Sequence, residues 1–366
     1  MRAVFRTSYD QDMALFRHRG QALRYAALLA AAAALPLLAG PYLVGEATGM
    51  LIWAIAGMGL MIMVGQTGQV SLGHAAFLAI GAYAALILQT RAGLPFPLAF
   101  PLAGVIAGAA GALLALPTTR LHGIYLAIAT LAFAVLIEDL IIMAEPLTGG
   151  VSGMVAPDVT LLGHAINRYA QPAQFYWLTL AVAVAVVLLY RNLLRAPLGR
   201  AFAAVRDSEV SARAMGVDVA RTKAAAFGLS CAVTGLAGAL LAHFAVVITH
   251  EHFLLLVSIQ LLLMIVIGGL GSIHGAFLGA AVVSFLPQGV SMLRDAAGGL
   301  LGWGGAPVPG LETAFFALIL VGILLREPMG LYGIWLKIRA YLSLFPFYRR
   351  GMFRRQRSYL RTERTR

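Results

Sequence analysis

Charge is what this sequence has least of. Only 11% of its 366 residues are Asp, Glu, Lys or Arg, while 60% are hydrophobic. A soluble domain carries about 25% charged residues, so that class is excluded. The apolar runs are continuous rather than alternating, which excludes a β-barrel. Cysteine is nearly absent: Cys231 stands alone, and no intrachain disulfide can form. No Gly-x-x-x-x-Gly-Lys-[Ser/Thr] run occurs, so no nucleotide is expected on this chain. His250-Glu251-His252 lacks the His-Glu-x-x-His spacing that sets two ligands on one helix face, and no metal is expected. No nucleophile–base constellation points to a membrane enzyme, and no selectivity-filter repeat points to a channel. Acids are the rarer sign, 15 against 27 Lys and Arg, for a net charge of +12.

What is present is long hydrophobic runs, with a mean hydropathy of +0.85. The sequence predicts an all-α, polytopic transmembrane helical bundle of about ten spans, each of ~20 residues. They are Ala22–Val44, Ala47–Gly65, His74–Thr90, Leu94–Leu116, Gly123–Ala144, Phe175–Tyr190, Ala224–Ile248, Leu254–Gly268, Ile273–Val290 and Leu311–Leu325. The basic residues cluster beside spans: 5 in Met1–Arg24, 7 in Arg191–Lys223 and 11 in Arg326–Arg366. That is the positive-inside pattern. It favours a membrane, with anionic lipid contact, over nucleic acid. Both termini and the 191–223 loop then lie in the cytoplasm. The expected division is a tail over 1–24, a transmembrane domain over 25–326 with the 191–223 loop inside it, and a basic tail over 327–366. A charged tail before a long first apolar run argues against a cleaved signal. His122 and Arg120 read as inner-face anchors and His243 as a packed or pore-facing histidine.

Two outer connections are long. Glu145–Gln174 contains Thr148, Gly149, Gly150 and Ser152, and Ser291–Gly310 is rich in Gly and Pro. Both read as irregular, either as plain connection or as a surface met by an external partner. Glu138 and Asp139 fall near the outer half of the fifth span. Acids there are often functional, but solvation near the interface is the plainer account.

An internal echo is visible. Met61-Ile62-Met63-Val64-Gly65 parallels Met264-Ile265-Val266-Ile267-Gly268, and Ala76-Phe77-Leu78 parallels Ala276-Phe277-Leu278 after a three-residue deletion. Repeated halves are common in transporters, and the span count makes both copies run the same way. Within the first copy, Gln66-Thr67-Gly68-Gln69-Val70-Ser71-Leu72-Gly73-His74 interrupts the apolar run with polar groups and glycine. It is either an ordinary turn between spans or a break at membrane depth, where irregular backbone must line a cavity or be buried in protein. In the second reading Gln66, Gly68, Gln69, Ser71, Gly73 and His74 line or gate a path.

Gly199 to Lys223 is a charged, helix-prone island. Asp207 or Ser208 can cap a short helix and Gly216 can end it, leaving about 12 Å of helix at 1.5 Å per residue. It reads as a docking knob for a soluble partner, with Arg206, Asp207, Ser208, Glu209, Arg213, Met215 and Gly216 as the contact residues. The run Gly199-Arg200-Ala201-x-x-Ala204-x-Arg206-Asp207-x-Glu209-x-x-Ala212, then Met215-Gly216-Val217-Asp218, resembles the cytoplasmic coupling loop of ABC importer permeases of the branched-chain amino acid branch. Gly68–Phe77, Gly123–Phe133, Leu147-Thr148-Gly149-Gly150 and Gly268–Ser272 are similar, in order, to the LivM-type subunits of that branch. The resemblance covers about Ala47 to Leu331.

It implies a permease in a bacterial cytoplasmic (inner) membrane that works by alternating access. Its implied companions are a second permease subunit, two cytoplasmic ATPase subunits that carry ATP and Mg, and a periplasmic substrate-binding protein. Thr148, Gly149, Gly150 and Ser152 are candidate contacts for the last. The implied substrate is a branched-chain or related amino acid. Urea, short amides or small carboxylates fit the same architecture, and a stand-alone secondary transporter or channel is the alternative of another class.

Overall fold

The protein is seen in a computed structural model that describes residues 19–301 except 120, 122 and 162, residues 330–344, and scattered positions between 317 and 329. Arg120, His122, most of the expected span Leu311–Leu325 and the two ends of the chain lie outside the described residues.

The chain opens with α1 (Arg19–Leu38), α2 (Pro41–Thr67), α3 (His74–Thr90), α4 (Phe96–Thr118) and α5 (Ile124–Met143). After the one-turn helix α6 (Glu145–Thr148) come the short strands β1 (Met154–Val155), β2 (Val159–Leu161) and β3 (His164–Ile166). Then follow α7 (Pro172–Arg195), α8 (Pro197–Asp207), α9 (Glu209–Ala214), α10 (Val219–Ala245), β4 (Val247–Ile248), α11 (Leu255–Gly268), α12 (Ile273–Leu301) and α13 (Gly330–Leu344). Among the described residues seven helices are long and apolar enough to cross a membrane, with the shorter apolar helices His74–Thr90 and Ile273–Gly289 beside them.

Three local expectations need correction. The first boundary falls at Gly40-Pro41, not near Gly45, because Pro41 occupies the first helical turn where its missing N–H does no harm. Glu145–Gln174 is not irregular: β2 pairs with β3, and β1 pairs with the distant β4 through Met154–Ile248 and Val155–Val247. Ser291 to Leu301 continues α12, with Pro287 inside that helix, because Met292-Leu293 and Ala296-Ala297 are strong helix formers.

Helix α10 is the central rod. It packs against α2, α3 and α4, and small residues let the backbones approach. A Cβ on Gly81 of α3 would stand 2.1 Å from Gly235 O of α10, the close approach that membrane helices use in place of a hydrophobic drive. Helix α1 is peripheral. Pro36 within it has no N–H for the Ala32 carbonyl. Tyr176 of α7 donates to that carbonyl at 2.9 Å, and Trp177 donates to Ala33 O at 3.0 Å.

The connections sort into two faces. The end of α2 touches α8, where Arg206 donates to Gly65 O. At the opposite face Arg91, just past α3, donates to Pro146 O, and Ala156 N–H donates to Val246 O beyond α10. The C-terminal ends of α2 and α11 adjoin, since Gln66 donates to Gly271 O at 3.3 Å. The two echoing segments therefore run in the same direction.

Candidate functional site

The break after α2 starts at an exposed face, at Gly68 and Val70, and ends buried, at Gly73 and His74. Gly68 ends α2 in a left-handed conformation, and the N–H groups of Gly68 and Gln69 both return to Met63 O. The chain then climbs back among the helices. Gly68 lies beside Arg206, whereas His74 shares Ser230 with Gly59. Gly59 and Gly65 are six residues apart on α2, so the climb is about 9 Å. Helix α3 is consequently short, 17 residues. Gly73 makes the path possible: a Cβ there would lie 1.9 Å from Thr130 O.

Irregular backbone at this depth must be satisfied by protein, and it is. Leu72 N–H donates to Thr130 Oγ1 at 3.0 Å, and Ala75 N–H, an orphan of the first turn of α3, donates to Ser258 Oγ at 2.9 Å. Gln66 Nε2 donates to the Tyr190 hydroxyl at 2.9 Å, and Gln69 Nε2 donates to Thr67 Oγ1 at 3.0 Å. The His74 tautomer follows from its neighbours. Ser230 donates its only hydroxyl proton to Gly59 O at 2.6 Å, so it accepts from His74 Nε2–H at 2.8 Å. His74 Nδ1 is then an acceptor for the Ser71 hydroxyl at 2.9 Å. Both ring nitrogens are occupied in a neutral chain of hydrogen bonds.

Of the six residues assigned to this stretch from sequence, Gln66, Gln69, Ser71, Gly73 and His74 are buried within the chain, and Gly68 is exposed. The arrangement is that of a polar plug held by α2, α5, α7, α10 and α11.

The docking segment is two helices rather than one. The 199–207 run belongs to α8, and Ser208 turns the corner as the N-cap of α9, its Oγ accepting from Ser211 N–H at 3.2 Å. Gly216 follows α9 at φ +85° with open space around it. From behind, Val205, Ala212 and Val219 pack together. Lys223 of α10, 4% exposed, pairs with Glu209 at 2.6 Å. Thus Glu209 fastens α9 to the bundle, and Arg206, though exposed, reaches back to α2. Asp207 and Ser208 are exposed at the corner, and Val210 and Met215 are 81% and 84% exposed, with Ser211 and Arg213 exposed between them. Sequence reasoning passed over Val210, because a six-residue helix is too short for periodicity to reveal an apolar residue on its outer side.

At the opposite face Thr148 is buried, its one hydroxyl proton shared between Ile141 O at 2.6 Å and Ala144 O at 2.9 Å, while it accepts from Gly150 N–H. It shapes the turn. Ser152 is exposed, with Leu147 and Val151 near it in sequence. Arg168 lies over the Phe244 ring at 3.8 Å and donates to Phe244 O at 2.8 Å, which ties this face to the end of α10. His252 is engaged in a capping box with Thr249. His243 is packed, its Nδ1 donating to Ala239 O at 2.8 Å and its Nε2 facing the Gln89 amide. On α5, Glu138 is half-buried and Asp139 exposed.

A family described as branched-chain amino acid transport system / permease component matches residues 42–339. The chain is 35% identical over 284 residues to the high-affinity branched-chain amino acid transport system permease protein LivM of Escherichia coli, covering 72% of this chain and 67% of that protein. The same identity and coverage hold for the Salmonella typhimurium protein of that name. A probable branched-chain amino acid transport permease protein LivH of Methanocaldococcus jannaschii is 24% identical over 292 residues, 78% of this chain and 90% of that one. No solved structure matches. With the family matched over most of its length and its apolar helices arranged around a polar break, the chain belongs to the permease components of branched-chain amino acid transport systems.

Proposed function

We propose that this chain is the LivM-type half of a permease pair in an ABC importer of a bacterial inner membrane. In this reading the Arg206 face is cytoplasmic and the Ser152 face periplasmic, in keeping with the 7 basic residues of Arg191–Lys223. Two ATPase subunits bind ATP with Mg and hydrolyse it. A second permease of the LivH kind completes the pathway, and a binding protein delivers a branched-chain or related amino acid to the outer face. The buried polar break acts as a gate: its groups are satisfied in the conformation described and must exchange partners when the path opens.

The observation that carries the reading is the α8–α9 corner, which is anchored behind by Lys223–Glu209 and presents Val210, Arg213 and Met215 outward. Arginine is among the residue types that dominate binding when buried in a partner's pocket, and Val210 and Met215 add exposed apolar surface on either side of it in the sequence. Co-purification of the ATPases with the tagged permease pair is the test. Val210→Asp and Arg213→Glu are each expected to weaken assembly by about 30-fold, as for loss of a hot spot of about 2 kcal/mol, while membrane insertion is unchanged. Wild-type assembly in both variants would remove this segment from the ATPase interface.

A further inference from the structure

The guanidinium of Arg206 sits where the two echoing breaks meet. Its Nη1 donates to Gly65 O at 3.1 Å. Gly65 O is in the last turn of α2, and the Gln69 N–H that would reach it in a continuing helix goes to Met63 O instead. A cation at a helix C-terminus is also electrostatically favoured. The stem of Arg206 lies over Gly68: a Cβ there would stand 3.4 Å from Arg206 Cγ. On the other side, Nη1 is 3.9 Å from where a Gly271 Cβ would be. Asp207 steers the guanidinium, accepting from Nε and Nη2 at 3.3 Å each. The neighbouring Gln66 of α2 reaches the second break by donating to Gly271 O, and it also donates to Tyr190 of α7.

We propose that Arg206 is a positioning residue for transport, an internal tie that joins the docking segment to the first chain break, beside the second, so that movement of the segment is delivered to the buried gate. It rests on the docking reading of residues 191–223, but gives Arg206 a different role from Arg213. Arg213 meets the partner, and Arg206 holds the permease to its own docking segment. The planar fork of arginine suits the task, because separate nitrogens meet Gly65 and Asp207 while the flat group reaches towards Gly271. A lysine supplies a single point of charge in its place.

The experiment uses the complete complex in proteoliposomes, with co-purification, ATP hydrolysis and substrate uptake measured for Arg206→Ala and Arg206→Lys. Arg206→Ala is expected to assemble and hydrolyse ATP, with uptake per ATP lowered about tenfold, the weight of one charge-assisted hydrogen bond made in one state and not another. Arg206→Lys should fall between it and wild type. Uptake per ATP within twofold of wild type for Arg206→Ala would make the contact a mere helix cap and overturn the tie. Loss of assembly in Arg206→Ala with full coupling in Arg206→Lys would overturn it in favour of a direct partner contact. If Arg206→Ala does not accumulate, the lysine variant decides alone: lowered uptake per ATP supports the tie, and unchanged uptake refutes it. Arg213→Glu in parallel separates the two readings, since its failure to weaken assembly would count against the docking segment itself.

Discussion

His74 and His274 open helices with nearly the same first residues, His-Ala-Ala-Phe-Leu and His-Gly-Ala-Phe-Leu, yet their surroundings are opposite. His74 is fully buried, with Ser71 on one nitrogen and Ser230 on the other. His274 is exposed at the periphery, where it bonds the Tyr25 hydroxyl of α1 at 3.0 Å and stacks on Tyr332 of α13. The break before His74 is three residues longer. Those residues carry the chain back into the bundle, whereas the shorter break turns at the surface with Leu270 half-exposed. One repeated motif thus yields a buried plug in one copy and a peripheral joint in the other. The length of the connection and the helices waiting beside it make the difference.

The largest expected effect contrasts Gly73 with its counterpart Ile273. Gly73→Val sets a branched side chain against the Thr130 backbone, which cannot yield as a flexible side-chain tip would. It should destabilise by about 3 kcal/mol or more, read as loss of monodisperse protein or a lowered unfolding temperature. Ile273→Val should cost about 1 kcal/mol. Equal tolerance at the two positions would mean that the first break is not packed as described.

A smaller effect separates the histidines. His74→Ala leaves the Ser71 hydroxyl without its acceptor inside the bundle and should cost about 2–3 kcal/mol. His274→Ala at the exposed joint should change stability by about 0.5 kcal/mol. Thermal unfolding of the detergent-solubilised permease pair measures both, and a His274→Ala loss as large as that of His74→Ala would erase the contrast.

The mildest perturbation sharpens the comparison without destroying it. Ser272→Cys is expected to react readily with a water-soluble thiol reagent. Ser71→Cys should be shielded in the resting complex and become reactive only in some nucleotide states. Shielding of Ser71→Cys in every state would leave the first break as packing and not as a gate.

Gln66–His74 was recognisable as a break because glycine and amide side chains are unusual inside an apolar run, whatever surrounds them. Its depth was not, because the groups that hold it come from far along the chain. Ser230 lies 156 residues from His74, and Gly65 lies 141 residues from Arg206. The α8–α9 segment shows the same division. Its charge, its cap at Ser208 and its glycine stop were legible, but the bond from Arg206 to Gly65 O and the ion pair of Glu209 with Lys223 were not. The small β1–β4 ladder escaped notice because two-residue strands carry no period and pair across 92 residues or more.

By itself, then, the sequence determined the helical, membrane-spanning class, the polar break at Gln66–His74 and where the basic residues cluster. Hydropathy, glycine and net charge act over a few residues and need no partner. Only the tertiary structure decided which polar groups are buried, which arginine bonds the end of α2 and which of two matching histidines is locked in place. In a helical bundle those outcomes depend on which helix lies alongside, and on whether an orphaned N–H or C=O finds its partner there.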